Sequence, residues 1–198
     1  ILNNKAFDAT EQHGIYVSNS SGPNDNPIIR GNVMYGNGRS GIQINGDCFT
    51  PDTDGQSDGV ITGAVIENNI VYDNTAKGMS LISMQDSVVQ NNLIYNNKNG
   101  AAGIHLTDEP GCGKPSHRNT VVNNTIVENL IAGIRITDSA IDNVIFNNIL
   151  ISLLKGAIVD EVGGSQIDQE SNLMLNFVPS GLFVNPNNHD YHLLPEGS

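Results

Sequence analysis

Apolar and polar positions alternate along this chain in short bursts, never over the lengths that helices need. Residues 64–74 read AVIENNIVYDN and residues 87–97 read SVVQNNLIYNN, an Asn pair framed by aliphatic residues each time. Aligned on apolar-x-Asn-x-apolar, one Asn recurs at Asn4, Asn32, Asn69, Asn92, Asn124, Asn148 and Asn172, with gaps of 28, 37, 23, 32, 24 and 24 residues. A second mark runs in phase with it. Gly followed by alternating residues appears at Gly14 (GIYV), Gly41 (GIQI), Gly78 (GMSL), Gly103 (GIHL), Gly133 (GIRI), Gly156 (GAIV) and Gly181 (GLFV). Period-two alternation predicts strands, and these are too short to bury themselves alone. Repetition at a near-constant period predicts a solenoid whose stacked units share one interior. About 23 residues hold three strands of about five residues with tight turns. Asn suits the bends, because it tolerates a left-handed backbone. Its amide can also bond the amide of the next coil, forming a ladder along the axis.

This pattern resembles the right-handed parallel β-helix proteins of the pectate-lyase-like superfamily, which are carbohydrate-active enzymes, and the resemblance covers essentially the whole chain. The expected fold is therefore all-β: a single-stranded right-handed parallel β-helix of about seven coils, three short strands per coil, in one domain over residues 1–198. The closing GLFVNPNNHDYHLLPEGS is similar to the last coil of such proteins. From about Gln169 onward the tidy repeat is lost, and this segment is expected to pack against the last coil. The opening ILNNKAFD begins mid-coil, as in a piece of a longer protein, so end-to-end or side-by-side self-association is plausible.

Alternation assigns the side chains. In the Gly-led strands the second and fourth residues point inward and the third outward. With coils about 4.8 Å apart, the outward third positions form a column of Tyr16, Gln43, Ser80, His105 and Arg135. Fifth positions form a neighbouring column of Ser18, Asn45, Ile82, Thr107 and Thr137, and seventh positions add Asp47 and Glu109. A shallow polar strip of this kind suits an extended, hydroxyl-rich polymer. The loops that follow differ in length. Coil two inserts NGDCFTPDTDGQSDG and coil four TDEPGCGKPSHRN, while coil three has only ISMQDS and coil five TDSAID. Two tall walls around a low coil make a notch, and long loops on a rigid scaffold tend to carry function. Cys48 lies in one wall and Cys112 in the other. Strand positions two coils apart are too distant to bridge, but loops leaning over the low coil can meet, so a Cys48–Cys112 disulfide is expected, with two unpaired thiols as the other reading.

Composition narrows the partners. Charged residues are 15% of the chain, with 9 Lys plus Arg against 21 Asp plus Glu, a formal charge of −12. Nucleic acid and anionic lipid are poor partners for such a chain, and no run approaches a membrane span. A disulfide implies an extracytoplasmic home.

The resemblance implies chemistry on acidic glycans. Lyases and uronate epimerases need a base and a cation to neutralise a carboxylate. His105 and Arg135 are the candidates, His105 as base or acid and Arg135 as carboxylate holder or base. Lys114, His117 and Arg118 stand in the adjacent wall. The plain alternative is that His105 and Arg135 are simply exposed strand residues. A glycosidase would instead need two facing carboxylates; Asp47, Asp108 and Glu109 are available, though LTDEP also reads as a turn. Asp52, Asp54 and Asp58 in PDTDGQSDG resemble part of a Ca²⁺ loop, and many lyases of this fold use Ca²⁺; a solvated acidic loop is the other reading. Tyr35, Tyr72 and Tyr95, after the Asn ladder, form an outward column. It offers a sugar platform, a domain interface, or plain cross-strand packing. Gln43, Asn45, Asp47, Ser80, Thr107, Glu109, Lys114 and Thr137 complete the expected substrate contacts. Two functions stay open: a secreted lyase or epimerase of a uronate polysaccharide, and a non-catalytic binding or structural module of a larger secreted or surface protein.

Overall fold

The computed structural model describes residues 1–19, 24–48, 58–98, 102–109, 111–168 and 170–195. Among these, the chain winds through three parallel sheets of seven, six and six strands. Each turn visits them in the same order. Coil four, for example, runs Leu93–Tyr95, Ala102–Thr107, Thr120–Val122. We call the three the tyrosine sheet, the glycine-led sheet and the third sheet. Six full turns are followed by one more strand of the tyrosine sheet, Leu173–Leu175. The solenoid predicted from the repeat is thus the observed architecture.

The Asn pair divides its two tasks between its members. The first member takes the left-handed bend: Asn68, Asn91, Asn123 and Asn147 have φ of 55°, 54°, 56° and 54°, and Gly31 does the same at 67°. The second member is the buried ladder residue. Its Oδ1 accepts from the backbone N–H and from the Nδ2 of the preceding coil. Its Nδ2 donates one hydrogen to the next Oδ1 and another to a carbonyl of the coil before. For Asn92 these contacts are Asn69 N–H at 3.0 Å, Asn69 Nδ2 at 3.0 Å, Asn124 Oδ1 at 2.9 Å and the Ile66 carbonyl at 2.9 Å. All the amide's donors and both acceptor sites are satisfied. The chain of side-chain bonds runs unbroken from Asn32 to Asn172. Asn4 joins only through its backbone N–H to Asn32 Oδ1, at 3.0 Å.

Two further ladders obey the same rule. Five residues on from the first, Asn37, Asn74, Asn97 and Asn129 form a second chain with spacings of 2.9, 2.9 and 2.8 Å. Asp73, Asn96 and Glu128 precede its last three members and are left-handed. At the third corner Asn119 donates to Asn143 at 3.0 Å, after left-handed Arg118 and Asp142. A short side of the coil is therefore three strand residues, one left-handed residue and one buried polar residue.

Inside lie aliphatic columns. Ile42, Met79, Ile104 and Ile134 stack on the glycine-led sheet, and Ile29, Ile66, Val89, Val121 and Ile145 on the third sheet, all fully buried. Gly14, Gly41, Gly78, Gly103 and Gly133 are steric necessities: a Cβ on Gly103 would stand 2.3 Å from Ile126 Cγ2; the last two repeat marks, Gly156 and Gly181, meet no such crowding.

The tyrosine column is observed as a stack. Phe7, Tyr35, Tyr72 and Tyr95 lie 5.1, 5.0 and 4.9 Å apart with nearly parallel rings. In the next coils the column steps down to Val127 and Ile151. The C-terminal segment fills this step. Its antiparallel hairpin, Phe183–Asn185 with Asp190–Leu193, folds back on the tyrosine sheet. His189 stacks on Tyr95 at 5.1 Å, and Tyr191 and Phe183 pack with Val127 and Ile151 in a second apolar cluster. The tail therefore lies along the side of the solenoid, where the ring column leaves room for it.

Two stability measurements follow. Asn91→Gly keeps the left-handed bend and should change unfolding free energy by under about 1 kcal/mol. Asn92→Gly orphans buried amides in two coils and should cost about 2–4 kcal/mol in urea denaturation.

Candidate functional site

On the glycine-led sheet the third-position column is in register as the alternation requires: Tyr16 pairs with Gln43, Gln43 with Ser80, Ser80 with His105, His105 with Arg135. Ser18, Asn45, Ile82 and Thr107 form the adjacent column, and the Thr137 N–H donates to the Leu106 carbonyl at 3.1 Å. The exposure differs from a uniformly open strip. Tyr16 is half exposed, and Gln43 and Arg135 are partly so. Asn45, Ser80, His105, Thr107 and Thr137 are buried. Ser80 is short and lies between the longer Gln43 and His105, which accounts for its burial. The reading of His105 as an exposed strand residue is thereby corrected.

His105 sits in a hydrogen-bond chain that sets its tautomer. Asp138 is held below the usual carboxylate range by bonds from the Thr107 and Thr137 hydroxyls. An ionised carboxylate only accepts, so the Thr137 hydroxyl gives its hydrogen to Asp138, at 2.7 Å. Thr137 Oγ1 then accepts from His105 Nε2, 2.9 Å away. The proton therefore sits on Nε2, and Nδ1 keeps a lone pair. That Nδ1 is buried and has no hydrogen-bond partner among the described residues, as is true of Ser80 Oγ and Asn45 Oδ1. Burial, with Lys77 and Arg135 nearby, pushes the His105 pKa down to about 4. The imidazole is neutral at pH 7 and carries an unused basic nitrogen.

Basic groups line this face. Lys77 is pushed down by burial and by Arg135, and it acts electrostatically on both His105 and His13. His13 is lowered by burial, Arg39 and Lys77. Arg135 donates from Nε and Nη2 to Glu161 at 2.9 and 2.8 Å. Lys77, His13 and Arg39 were not picked out from the sequence. A signal was there: the residue before each lead glycine forms its own column of His13, Ser40, Lys77, Ala102 and Ala132, as the backbone bonds of Gly14, Gly41 and Gly78 and the pairing of Ala102 with Ala132 show; in coil six the register is offset by one, and Gly156 rather than Lys155 pairs with Ala132. Asp138 was likewise missed, inside a loop that reads as a plain turn.

At the other margin of the strip stand carboxylates. The Glu109 carboxyl is raised by burial, then by Asp47 and Asp108. Ser139 Oγ donates to Asp108 Oδ2. Above this margin Cys48 and Cys112 are joined in a disulfide with Cα atoms 6.0 Å apart. Two coils rise about 9.6 Å, so the walls lean together across coil three as expected. Lys114 is exposed in the fourth-coil wall. His117 and Arg118 turn away to another group, where Arg118 forks onto Asp86 at 2.7 and 2.6 Å.

Of the Ca²⁺ candidates, Asp52 and Asp54 lie outside the described residues. Asp58 Oδ1 accepts from the Val60 N–H at 3.1 Å and from Asn19 Nδ2 at 3.4 Å. Among the described residues no group of three or more His, Cys, Asp or Glu is placed to hold a metal ion. Tyr35, Tyr72 and Tyr95 stack face to face, so the partly exposed Tyr35 and Tyr72 offer edges rather than ring faces to solvent, and Tyr95 is buried. They also belong to a different sheet from His105. Among the described residues no helix is long and apolar enough to cross a membrane.

The fold has solved counterparts. The periplasmic alginate epimerase AlgG is similar with a TM-score of 0.67 at 17% identity, over 84% of this chain and 38% of that one. The A-module of the Azotobacter vinelandii mannuronan C-5 epimerase AlgE6 is similar at 0.61 and 15% identity, over 84% and 42%. The AlgE4 A-module from the same organism is similar at 0.55 and 16%, over 83% and 50%. The chain thus spans 38% to 50% of the length of these structures. A search of curated proteins by sequence finds no match. The family described as "Right handed beta helix region" matches residues 1–173, and with the coils, registers and ladders above this chain belongs to that right-handed β-helix family.

Proposed function

We propose that this protein acts on an acidic, uronate-containing polysaccharide outside the cytoplasm, as an epimerase or lyase, with the polymer lying along the glycine-led sheet over coils two to five. The observation that carries the reading is the placement of charge. In a chain of net charge −12, Arg39, Lys77 and Arg135 gather with His13 and His105 on one face. Such a row attracts a polyanion that the rest of the surface repels. Coils rise about 4.8 Å, so Arg39, Lys77 and Arg135, from coils two, three and five, meet an extended polymer at separate points along its length. The similarity to epimerases of alginate and mannuronan supports the substrate class, and the disulfide supports the location.

The chemistry divides among named atoms. Arg135 and Lys77 neutralise the uronate carboxylate, which makes the hydrogen on the adjacent carbon more acidic. His105 Nδ1 takes that hydrogen, while Thr137 and Asp138 hold the ring in the required tautomer and stabilise the cation that forms. Glu109, with its raised carboxyl, supplies a proton donor at the opposite margin. Gln43, Asn45, Asp47, Ser80 and Thr107 line the path between them. Return of a proton gives the epimer; loss of the neighbouring oxygen substituent gives an unsaturated product. Ca²⁺, if Asp52, Asp54 and Asp58 hold it, would add positive charge beside the substrate carboxylate.

A second reading is favoured by two contacts. Arg135 is already paired with Glu161, and His105 Nδ1 is covered. A module that binds the polymer without turning it over needs neither group free.

Activity separates the two. Incubation with uronate polymers in deuterated water, followed by proton NMR and ultraviolet absorbance, should show deuterium entry or unsaturated ends. His105→Ala and Arg135→Ala should each lower the rate by roughly 10²–10⁴. Polymer retention in an affinity gel with no exchange and no unsaturation would establish the module instead.

The pH dependence has a definite sign. The folded His105 pKa of about 4 lies below the ordinary 6.5. Between these values the unfolded chain binds a proton that the folded one does not. Stability is therefore lost as pH falls from 6.5 toward 4, by about 3 kcal/mol from this group. His105→Gln should flatten that part of the stability–pH curve relative to wild type, measured by urea denaturation. The acid limb of kcat/KM should fall with a midpoint near 4 as His105 gains its proton.

A further inference from the structure

A cleft of about 540 Å³ lies between the C-terminal hairpin and the outer face of the tyrosine sheet, on a different sheet from the groove. Its size is that of a small-ligand site. The floor is apolar: Leu93 and Ile70 point outward from the sheet and are partly exposed. The ring of Tyr191, packed against Tyr95 at 5.2 Å, walls one side. The rim is polar. Asn91 and Asn123 occupy equivalent left-handed corners of successive coils, which turns their side chains out of the ladder. The Asn91 side-chain amide makes no hydrogen bond among the described residues, while its backbone N–H donates to the Val122 carbonyl. Asn123 accepts from Asn147 Nδ2 at 2.5 Å and keeps its own Nδ2 hydrogens. Opposite stand Asp190 and His192, joined Oδ1 to Nδ1 at 2.5 Å.

We infer that this cleft is a second saccharide-binding site, for a neutral glycan. An apolar floor takes the C–H face of a pyranose, and side-chain amides and a carboxylate–imidazole pair on the rim take its hydroxyls. Two amides one coil rise apart can each reach a hydroxyl of one ring. Charge sets the class. Among the described residues no Lys or Arg lines the cleft, and the exposed His192 is already paired with Asp190. An anionic sugar would meet the Asp190 carboxylate with no free cation to offset it. The groove's basic row is the reverse case, so the two sites take glycans of different charge.

The cleft also explains the hold on the tail. His189 adopts a left-handed backbone, φ 58°, and stacks on Tyr95. The bend places Asp190, Tyr191 and His192 over Leu93 instead of away from it. A sugar seated there would contact both the tail and the coils.

The test uses the full chain and three neutral probes, cellohexaose, xylohexaose and mannohexaose, with a hexagalacturonate as the charged comparison. Binding is read by NMR chemical-shift titration. At least one neutral hexasaccharide should shift resonances of Leu93, Thr125 and Tyr191. The double variant Asn91→Gly/Asn123→Gly keeps both left-handed bends, and it should weaken that binding at least roughly tenfold. The groove variant His105→Ala/Arg135→Ala should leave it unchanged. This inference does not rest on activity in the groove, and the groove variant keeps the two apart. It is overturned if no neutral probe binds at millimolar concentration, if the glycine variant binds as wild type, if the groove variant abolishes binding, or if the hexagalacturonate binds this cleft more tightly than every neutral probe.

Discussion

The structure depends on burying side-chain amides without leaving any of their hydrogens or lone pairs unused. A coil of about 23 residues must turn three times, and every turn brings backbone groups into the interior. An unpaired buried N–H costs a few kcal/mol. The ladder residue removes that cost. Asn92 accepts two hydrogens from the coil before it and donates to the coil after it, so the bend of one coil is satisfied by its neighbours. The fold is thus cooperative along its axis. The left-handed residue beside each ladder Asn does the complementary task of reversing the chain in one step.

Stacking in register converts sequence positions into neighbours. His105 and Arg135 are 30 residues apart in sequence yet directly paired. The same rule brings Thr137 beside Thr107 and delivers Asp138 to both hydroxyls. A catalytic or binding arrangement on this scaffold needs no special loop to assemble it. It needs the right residue at one place in each of several coils. The loops add height, and the disulfide ties the two tall ones across the low coil, which by its chain closure adds about 4 kcal/mol.

Much of this was legible in the chain. The repeat gave the solenoid because Asn and Gly recur at places where few other residues serve. The inward columns followed from alternation, and the Cys pair from loop lengths. The second ladder was also written there, five residues after the first at Asn37, Asn74, Asn97 and Asn129. It was hidden because YGN, YDN, YNN and VEN do not look alike; what they share is a middle residue in the left-handed bend, which Gly36, Asp73 and Asn96 suit and Glu128 takes as well. Burial of His105 was not legible. Alternation says which way a side chain leaves the sheet, while burial depends on the length of its neighbours in other coils. The role of Asp138 was hidden for a related reason. Asp after Thr reads locally as a turn, and only the pairing of coils four and five shows which hydroxyls it receives. The docking of the tail on the step from Tyr95 to Val127 and Ile151 needed the third dimension too, since nothing near residues 183–193 names its partner.

Amide hydrogen exchange of the asparagine side chains, followed by NMR, tests the ladder most directly. The Nδ2 hydrogens of Asn69, Asn92 and Asn124 should exchange only through global unfolding, as slowly as the backbone N–H groups of Ile94 and Ile126, while those of Asn91 exchange at the rate of an exposed amide. Fast exchange at Asn92 with the strands still protected would show that the coils stand without the ladder.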